Sequence, residues 1–338
     1  MAGAETDWPT YLAIRAAWMS FVGGSTQSEI ASHLGISSAK VHRLIAQAQR
    51  DGLIRFQIEG RPIECLQYED QLQATFGLKT CLVVPRVRPA GQSEAHVIDA
   101  IASAAGPFLG NLLSQPHIGS VGVGMGRTLK AAFSALPRQR RDDLSVMAVS
   151  GSLTPKLAAN PYDVIQLLQE RTGAEGYFLP VPYFASSRQE RDTFLNQPSV
   201  QDLMARARQA DLFVIGIGSI DDKSHLMTTG MISTEEQCRL EKAGAVCDLM
   251  GRFLNDQGSQ VQTELERHPV GLHFNDIRGA RVVALAGGLN KLAATRAALL
   301  SGVISDIVLD EALAAELVAS GAGAARSTSK LSTQYSEA

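Results

Sequence analysis

The chain has 338 residues, and 45% of them are hydrophobic, which is enough for two domains or for a small module joined to a large one. A formal net charge of −3 excludes a general attraction to polyanions, so any contact with nucleic acid must come from a local basic patch. The four cysteines show neither CxxC nor zinc-ligand spacing, which argues against a disulfide framework or structural zinc site and fits a reducing cytoplasm.

Targeting and membrane segments are not expected. The N-terminal residues lack the basic segment followed by an apolar segment that a signal peptide requires. The most apolar helical stretch, 95–113, is interrupted by His96, Asp99, Pro107 and Asn111. We therefore expect a chain without a signal peptide or membrane span, located in the cytoplasm.

Three helices are predicted in residues 1–60, which we expect to form a separate domain. The first helix covers Tyr11–Phe21. Its candidate core residues are Leu12, Ile14, Trp18 and Phe21. The second helix begins at Thr26, which forms a capping box with Glu29 three residues later. It ends at Gly35, because glycine readily adopts the left-handed backbone that closes a helix.

The third predicted helix, capped by Ser37, has an apolar face and a polar face. The apolar face follows the spacing i, i+3, i+4 and i+7 and consists of Val41, Leu44, Ile45 and Ala48. Between Ser37 and Arg55, four basic residues stand against one acidic residue, so the local charge is +3. Two short helices joined by a glycine turn, the second one basic, are typical of a helix-turn-helix that reads the major groove of DNA.

The predicted DNA contacts lie near the starts of the second and third helices. They are Thr26, Gln27, Ser37, Ser38, Lys40, His42 and Arg43. The alternative for this region is a helical hairpin with a solvated polar face. For His42, a solvated side chain and a contact to DNA are equally compatible with the sequence.

From about residue 62 onward, strand-like apolar runs alternate with helical stretches. The runs are 80–85, 118–124, 144–150, 177–184, 211–218, 281–288 and 306–310. This alternation predicts an α/β domain with a largely parallel sheet. Since ligands of such sheets bind beyond the carboxyl ends of the strands, the residues that follow the runs are expected to line one crevice. They are Gly124, Arg127, Thr128, Gly151, Ser152, Gly218, Ser219, Gly287, Gly288, Lys291 and Asp310.

One run continues into a glycine-rich loop, SVGVGMGRTL (120–129). The loop does not match the dinucleotide fingerprint, because Thr128 stands where the third glycine is required, and it lacks the Gly-Lys-Ser/Thr ending of a P-loop. A strand, a glycine turn and a helix N-terminus with Arg127 could receive a phosphate or an array of hydroxyls. Alternatively, the glycines serve only close packing of strand and helix. Lys291 on the first turn of a helix opposes the helix dipole, which favours a ligand role.

Five segments, in chain order, resemble one known family. They are TQSEIASHLGISSAKVHRLIAQAQRDGLI, VGVGMGRTL, ADLFVIGIGSI, GAVCDLMGRFLNDQG and VVALAGGLNKLAATRAAL. Over residues 11–318 the chain resembles the SorC family of bacterial sugar-responsive transcriptional regulators. The resemblance implies an all-α, winged-helix-like helix-turn-helix domain at 1–60. It also implies an α/β, Rossmann-like effector domain at 61–319, of the sugar-phosphate isomerase and glucosamine-phosphate deaminase type. Residues 320–338 are small and polar, which predicts a disordered tail.

The resemblance also implies a ligand pocket. Its residues are Gly124, Arg127, Thr128, Gly151, Ser152, Asn160, Ser219, Asp248 and Lys291. Purely structural roles remain open for Asp248, as a cap or ion pair within a helix, and for Asn160, as a turn residue before Pro161. The sequence VSGSLT lacks the arginine that members binding sugar phosphates can carry there, and Met125-Gly126-Arg127 replaces the Gly-Gly-Thr-Thr of some phosphate binders. Both departures argue against a bisphosphate ligand.

These observations predict a transcriptional regulator of a carbohydrate or polyol catabolic operon. We expect it to bind operator DNA as a homo-dimer or tetramer, to respond to a small sugar, polyol or sugar phosphate, and to use no metal or cofactor. The alternative is an isomerase- or deaminase-like enzyme with a fused helical module. Asp248 and Asp310 are the candidate general bases for that enzyme, and neither lies in a recognisable catalytic motif.

Overall fold

The computed structural model describes residues 8–51, 53–54, 60–86, 93–151, 164–265 and 268–320. The chain so described divides into two compact units, Met1–Gly60 and Arg61–Ala338, which we call the N-terminal unit and the large unit. Residues 321–338 of the predicted tail lie outside the described residues. Ser320 does not belong to a tail, because it ends a helix over 311–320 and its hydroxyl donates to the carbonyl of Leu317 at 2.9 Å.

The described part of the N-terminal unit contains three α-helices: α1 (Trp8–Ala17), α2 (Gln27–Leu34) and α3 (Ser38–Arg50). The predicted capping box starts α2, since the N–H of Glu29 donates to Oγ1 of Thr26 and the N–H of Thr26 donates to the Glu29 carboxylate at 2.7 Å. Gly35 ends α2 with a φ of 64°. Ser37 then caps α3. The helix-turn-helix predicted from these residues is therefore confirmed.

The core of the N-terminal unit lies between α1 and α3. The predicted apolar face of α3 is buried: Val41, Leu44, Ile45 and Ala48. From α1, the small side chains of Ala13, Ala16 and Ala17 complete the same cluster together with Leu12 and with Ile30 of α2. Alanines at the contact allow the two helix axes to approach closely.

For two residues of the first predicted helix, Trp18 and Phe21, the prediction that they lie in the core is wrong. Trp18 is 63% exposed and Phe21 is 45% exposed. The reason is that α1 ends at Ala17 and the chain continues as a π-helical turn over Trp18–Val22, closed by a bond from the N–H of Gly23 to the carbonyl of Trp18. A π turn holds more residues than an α turn, so side chains beyond Ala17 leave the face that an α-helical spacing assigns to them.

Within the described residues of the large unit, ten strands form two sheets. They are β1 (Thr80–Val84), β2 (Ser120–Val123), β3 (Ser145–Ala148), β4 (Glu175–Tyr177), β5 (Leu212–Gly216), β6 (Gly218–Ser219), β7 (Cys247–Leu249), β8 (Arg252–Leu254), β9 (Val282–Ala286) and β10 (Asp306–Asp310). The main sheet has the order β1-β10-β9-β5-β2-β3-β4, and all its pairs are parallel. The predicted parallel α/β domain is confirmed.

Helices connect the strands of the large unit, and several of them pack against the main sheet. They are α4 (Ile63–Phe76), α5 (Glu94–Leu113), α6 (Arg127–Ser134), α7 (Ile165–Thr172), α8 (Arg188–Leu195), α9 (Pro198–Arg208), α10 (His225–Thr228), α11 (Thr234–Lys242) and α12 (Leu292–Leu300), with α13 over 311–320. Among the helices of the described residues, none has the length and apolar character that crossing a bilayer requires.

The strand order places a topological switch point between β2 and β5. These two strands are neighbours in the middle of the sheet, and the chain leaves β2 towards β3 and β4 but leaves β5 towards β9 and β10. The loops at their carboxyl ends therefore diverge and leave a crevice, which is where open α/β sheets bind ligands.

The predicted strand at 177–184 is wrong for all but its first residue. The observed strand β4 ends at Tyr177, and beyond it the chain makes isolated bridges rather than a continuous strand, among them one between Phe184 and Pro269. Pro180 and Pro182 have no N–H group to donate to a neighbouring strand, so they stop the ladder.

The sequence patterns do not predict the second sheet, in which β6, β7 and β8 pair antiparallel. A two-residue turn of Met250 (φ 56°) and Gly251 (φ 77°) joins β7 to β8. Positive φ at both turn residues is the geometry that matches the twist of a tight hairpin. The sequence signal that could have indicated this hairpin was therefore the pair Met250-Gly251 between two short apolar runs.

The glycine loop after β2 gives a direct test of packing. A Cβ added to Gly122 would lie 2.6 Å from ring atoms of the buried Phe213, whereas a Cβ added to Gly124 would meet its nearest atom at 3.6 Å. We predict that Gly122→Ala lowers the free energy of unfolding by about 1–3 kcal/mol through overpacking, and that Gly124→Ala changes it by less than about 1 kcal/mol. Urea denaturation of both variants measures this difference, and equal stabilities would contradict it.

Candidate functional site

A cavity opens at the switch point, above the carboxyl ends of β2, β5 and β9. Among the described residues, those that line it come from several loops at this edge and from the second sheet: Glu94, Ile98, Gly124, Met125, Gly126, Arg127, Thr128, Leu129, Val149, Ser150, Tyr183, Ile215, Gly216, Ile217, Gly218, Ser219, Ser224, His225, Asp248, Met250, Leu285, Gly287 and Lys291. The structure thus brings Gly124, Arg127, Thr128, Ser219, Asp248 and Lys291, all named from the sequence, to one cavity.

The first wall of the cavity is the glycine loop and the start of α6. Gly126 precedes α6 with a φ of 144°, a conformation that side chains rarely permit. Thr128 is buried on the first turn of α6. The guanidinium of Arg127 lies 2.8 Å from the carboxylate of Glu94, the first residue of α5, and donates to the carbonyl of Lys223 at 3.4 Å. The N-terminus of α6 thus presents an ion pair to the cavity.

The opposite wall carries Lys291. This residue precedes α12 at its N-cap position rather than on its first turn, and its ammonium group donates to the carbonyl of Ile217 at 2.7 Å. Burial and the nearby Arg127 lower the pKa of Lys291, and the negative charge of Glu94 opposes this effect. The lysine is therefore held at the carboxyl end of β5, close to both members of the ion pair.

The second sheet supplies Ser219 and Asp248. Both are buried, and β6 pairs with β7 so that Gly218 is opposite Asp248 and Ser219 is opposite Cys247. Asp248 lies in a strand and not in a helix, which removes the helix-cap alternative. One of its carboxylate oxygens accepts the N–H of Gly251 at 2.8 Å and so stabilises the hairpin turn. The side chain combines this structural contact with a position at the cavity.

Among the lining residues that sequence reasoning missed are two ionisable ones, Glu94 and His225. Glu94 follows the N-cap Ser93, and the sequence offers a helix start there but no sign that the carboxylate meets Arg127 of another helix. His225 begins α10, one turn of helix that no periodicity reveals. Burial and the positive charges of Arg127 and Lys291 lower the pKa of His225 from 6.5 to about 4, so its imidazole is neutral at pH 7.

Other sequence-predicted residues do not line the cavity. Gly151 is buried beside it, and its N–H donates to the carbonyl of Val270 at 2.8 Å. A Cβ at Gly151 would lie 2.2 Å from the carbonyl oxygen of Pro182, which gives this glycine a packing role. Ser152 and Asn160 lie outside the described residues.

The carboxylate of Asp310 is used in backbone contacts next to the cavity. It accepts the N–H of Gly288 at 2.6 Å and, with its other oxygen, the N–H groups of Ala312 and Leu313 at 3.1 and 3.2 Å. These bonds tie the loop after β9 to the start of α13. In the part of the chain that the structure describes, no three His, Cys, Asp or Glu side chains are grouped so that they could hold a metal ion.

The predicted DNA contacts form an exposed surface on the N-terminal unit. Lys40, His42 and Arg43 are exposed on the first half of α3, and so is Ser38. The hydroxyls of Thr26 and Ser37 are engaged in helix caps, which places their side chains at the starts of α2 and α3. Nε2 of Gln27 lies 3.5 Å from Nδ1 of His42 and so links the two helices.

The neutral His225 makes stability depend on pH. The unfolded chain binds a proton at this residue near pH 6.5, and the folded chain binds it only near pH 4, so stability is complete above pH 6.5 and is lost as the pH falls towards 4. Since one pKa unit corresponds to about 1.4 kcal/mol, we predict a loss of at most roughly 3 kcal/mol from this residue. Urea denaturation at pH 7 and pH 4.5 should show a smaller loss for His225→Gln than for wild type. Equal losses would contradict the assignment.

Comparison with known proteins identifies the family. The family described as "Putative sugar-binding domain" matches residues 60–319, and a winged helix-turn-helix DNA-binding family matches residues 23–55. The erythritol catabolism regulatory protein EryD of Brucella abortus is 37% identical over 307 residues, which cover 91% of this chain and 96% of that protein. The transcriptional regulator LsrR of Escherichia coli O157:H7 is 31% identical and covers 90% of this chain and 94% of its own length.

Solved structures agree in fold. The full-length sorbitol operon regulator SorC from Klebsiella pneumoniae superposes with a TM-score of 0.67 at 23% identity, over 91% of this chain and 99% of that one. These relatives are transcriptional regulators and not enzymes. With a helix-turn-helix in the N-terminal unit and a sugar-binding domain in the large unit, the chain belongs to the SorC family of sugar-responsive transcriptional regulators.

Proposed function

We propose that this regulator controls a carbohydrate or polyol catabolic operon through a small sugar, polyol or sugar phosphate bound in the cavity at the switch point. The observation that carries the proposal is that Arg127, Thr128 and Lys291, which come from two distant segments, line one cavity with Ser219 and Asp248. Relatives named for erythritol catabolism and for a sorbitol operon support the ligand class. Hydroxyl, carboxylate and cationic groups together suit a polyhydroxylated ligand.

The large unit has features of a binding domain rather than of an enzyme. We propose that it shares the Rossmann-like arrangement of sugar-phosphate isomerases and glucosamine-phosphate deaminases, which the parallel sheet and the site at its switch point support. Of the two candidate general bases, Asp310 is engaged by three N–H groups, and Asp248 holds the hairpin turn. Because both carboxylates accept backbone N–H groups, we propose that the cavity binds a ligand and does not catalyse a reaction.

In the N-terminal unit, we propose that α3 enters the major groove of operator DNA in the cytoplasm. Exposed Ser38, Lys40, His42 and Arg43 would face bases and phosphates, while Thr26, Gln27 and Ser37 would lie near the phosphate backbone. One helix-turn-helix contacts little DNA, so specificity requires two half-sites related by a two-fold axis. The active species is therefore proposed to be a homo-dimer or a tetramer.

Lys291→Ala tests the cavity as the effector site. A thermal-shift screen of sugars, polyols and their phosphates with the full chain identifies a ligand, and calorimetry then measures its affinity. We predict that the substitution weakens binding by roughly 1.5–3 kcal/mol, because it removes a charge-assisted hydrogen bond, and leaves operator affinity without ligand unchanged. The matched control is Lys242→Ala, an exposed lysine at the end of α11. Wild-type ligand affinity in Lys291→Ala, or conversion of the ligand to a product, would refute the proposal.

Substitutions on α3 test the DNA surface. We predict that Lys40→Ala combined with Arg43→Ala abolishes the gel shift of DNA from the regulator's own upstream region and leaves effector affinity intact. Each lost phosphate contact should lower the slope of log affinity against log salt by about one, and a lost bidentate base contact should cost about 1–3 kcal/mol. Arg188→Ala, an exposed arginine of α8, is the control for loss of a positive charge. A normal gel shift from the double variant would contradict this placement.

A further inference from the structure

The ion pair between Glu94 and Arg127 engages the guanidinium group that a ligand phosphate would use. A phosphate at the N-terminus of α6 would use the backbone N–H groups and the Arg127 guanidinium. That guanidinium already lies 2.8 Å from Oε1 of Glu94. The carboxylate is also in the first turn of α5, where the helix dipole favours a negative charge. Two interactions therefore hold an anion of the chain itself beside the Arg127 guanidinium.

Within the described part of the lining, the charges of the side chains balance one another. The described residues that line it include two cations, Arg127 and Lys291, and two carboxylates, Glu94 and Asp248. His225 is neutral at pH 7 because its pKa is lowered to about 4. A phosphate monoester carries a charge of about −1.5 to −2 at this pH and would make the site strongly negative. An uncharged ligand leaves the balance intact.

Hydrogen-bond chemistry leads to the same class of ligand. Each hydroxyl of a polyol both donates and accepts, so it can donate to a carboxylate and accept from a cation or another hydroxyl. The cavity offers acceptors in Glu94 and Asp248 and donors in Arg127 and Lys291, with Ser219 able to do both. A phosphate dianion only accepts and would meet the two carboxylates with no proton to share.

We propose that the cavity selects an uncharged polyhydroxylated ligand, and that Glu94 is the residue that excludes its phosphorylated form. This inference rests on the proposed function, since it concerns the same cavity. Glu94 acts by occupying Arg127 and by repelling a second anion. Removal of the carboxylate charge releases the guanidinium and changes the net charge of the described lining by +1, so a phosphate becomes acceptable.

The affinities of a polyol and of its own monophosphate, measured side by side, test this selectivity. Calorimetry with the full chain compares linear four- to six-carbon polyols with their monophosphates, for wild type, Glu94→Gln and the control Glu316→Gln, which removes an exposed carboxylate of α13. Wild type and Glu316→Gln are expected to bind at least one polyol at least tenfold more tightly than its monophosphate. In Glu94→Gln this ratio is expected to fall at least tenfold. Thermal unfolding of Glu94→Gln without ligand verifies that the variant is folded.

The remaining outcomes separate this inference from the proposed function. A wild type that binds a monophosphate more tightly than the matching polyol overturns the inference and leaves the effector site in place. An unchanged ratio in a folded Glu94→Gln overturns the role of Glu94. If neither polyols nor monophosphates bind to wild type, the proposed effector class itself fails.

Discussion

The close approach of β2 and β5 at the centre of the main sheet positions the ligand cavity. Gly122 of β2 lies against the ring of Phe213, and this contact leaves no room for a side chain at residue 122. Because the two strands are neighbours and the chain leaves them in opposite directions, the loops that follow them diverge. The glycine turn before α6 and the carbonyl of Ile217 then face the same space, and Lys291 reaches across to that carbonyl.

Charge compensation is the second constraint on the cavity. Buried and half-buried ions are stable in proteins when partners or hydrogen bonds replace the lost water. Here Arg127 has Glu94 as its partner, Lys291 has a backbone carbonyl, and His225 remains neutral. The same pairing that stabilises the charged groups of the cavity therefore favours an uncharged ligand, since a ligand that brings no net charge preserves the balance.

Local sequence patterns predicted the elements whose structure depends on neighbouring residues. The capping box at Thr26, the left-handed Gly35 and the buried stripe of α3 follow from interactions within one or two turns of helix. Apart from β4, the strands of the main sheet were predicted with small errors in length, because buried parallel strands are continuous apolar runs. The family resemblance supplied Asp248 and Asn160, which no local pattern indicates.

Features that depend on distant contacts or rare backbone geometry could not be predicted. The exposure of Trp18 results from a π turn, whereas the end of β4 could have been inferred from Pro180 and Pro182, which interrupt an otherwise apolar run. The strands β6 to β8 are two or three residues long, too short for periodicity to show, and their pairing is decided by tertiary contacts. The pairing of Glu94 with Arg127 joins two helices that the sequence alone does not bring together.

In the proposed regulator, binding of the effector in the cavity changes the affinity of α3 for operator DNA. The most direct measurement of this change is the anisotropy of labelled operator DNA with the full chain, titrated with the ligand that the thermal-shift screen identifies. Thermodynamic coupling between two sites typically changes affinity by about 5- to 150-fold. We expect at least a fivefold change in operator affinity at saturating ligand. An operator affinity that stays constant while calorimetry shows the ligand bound would contradict it.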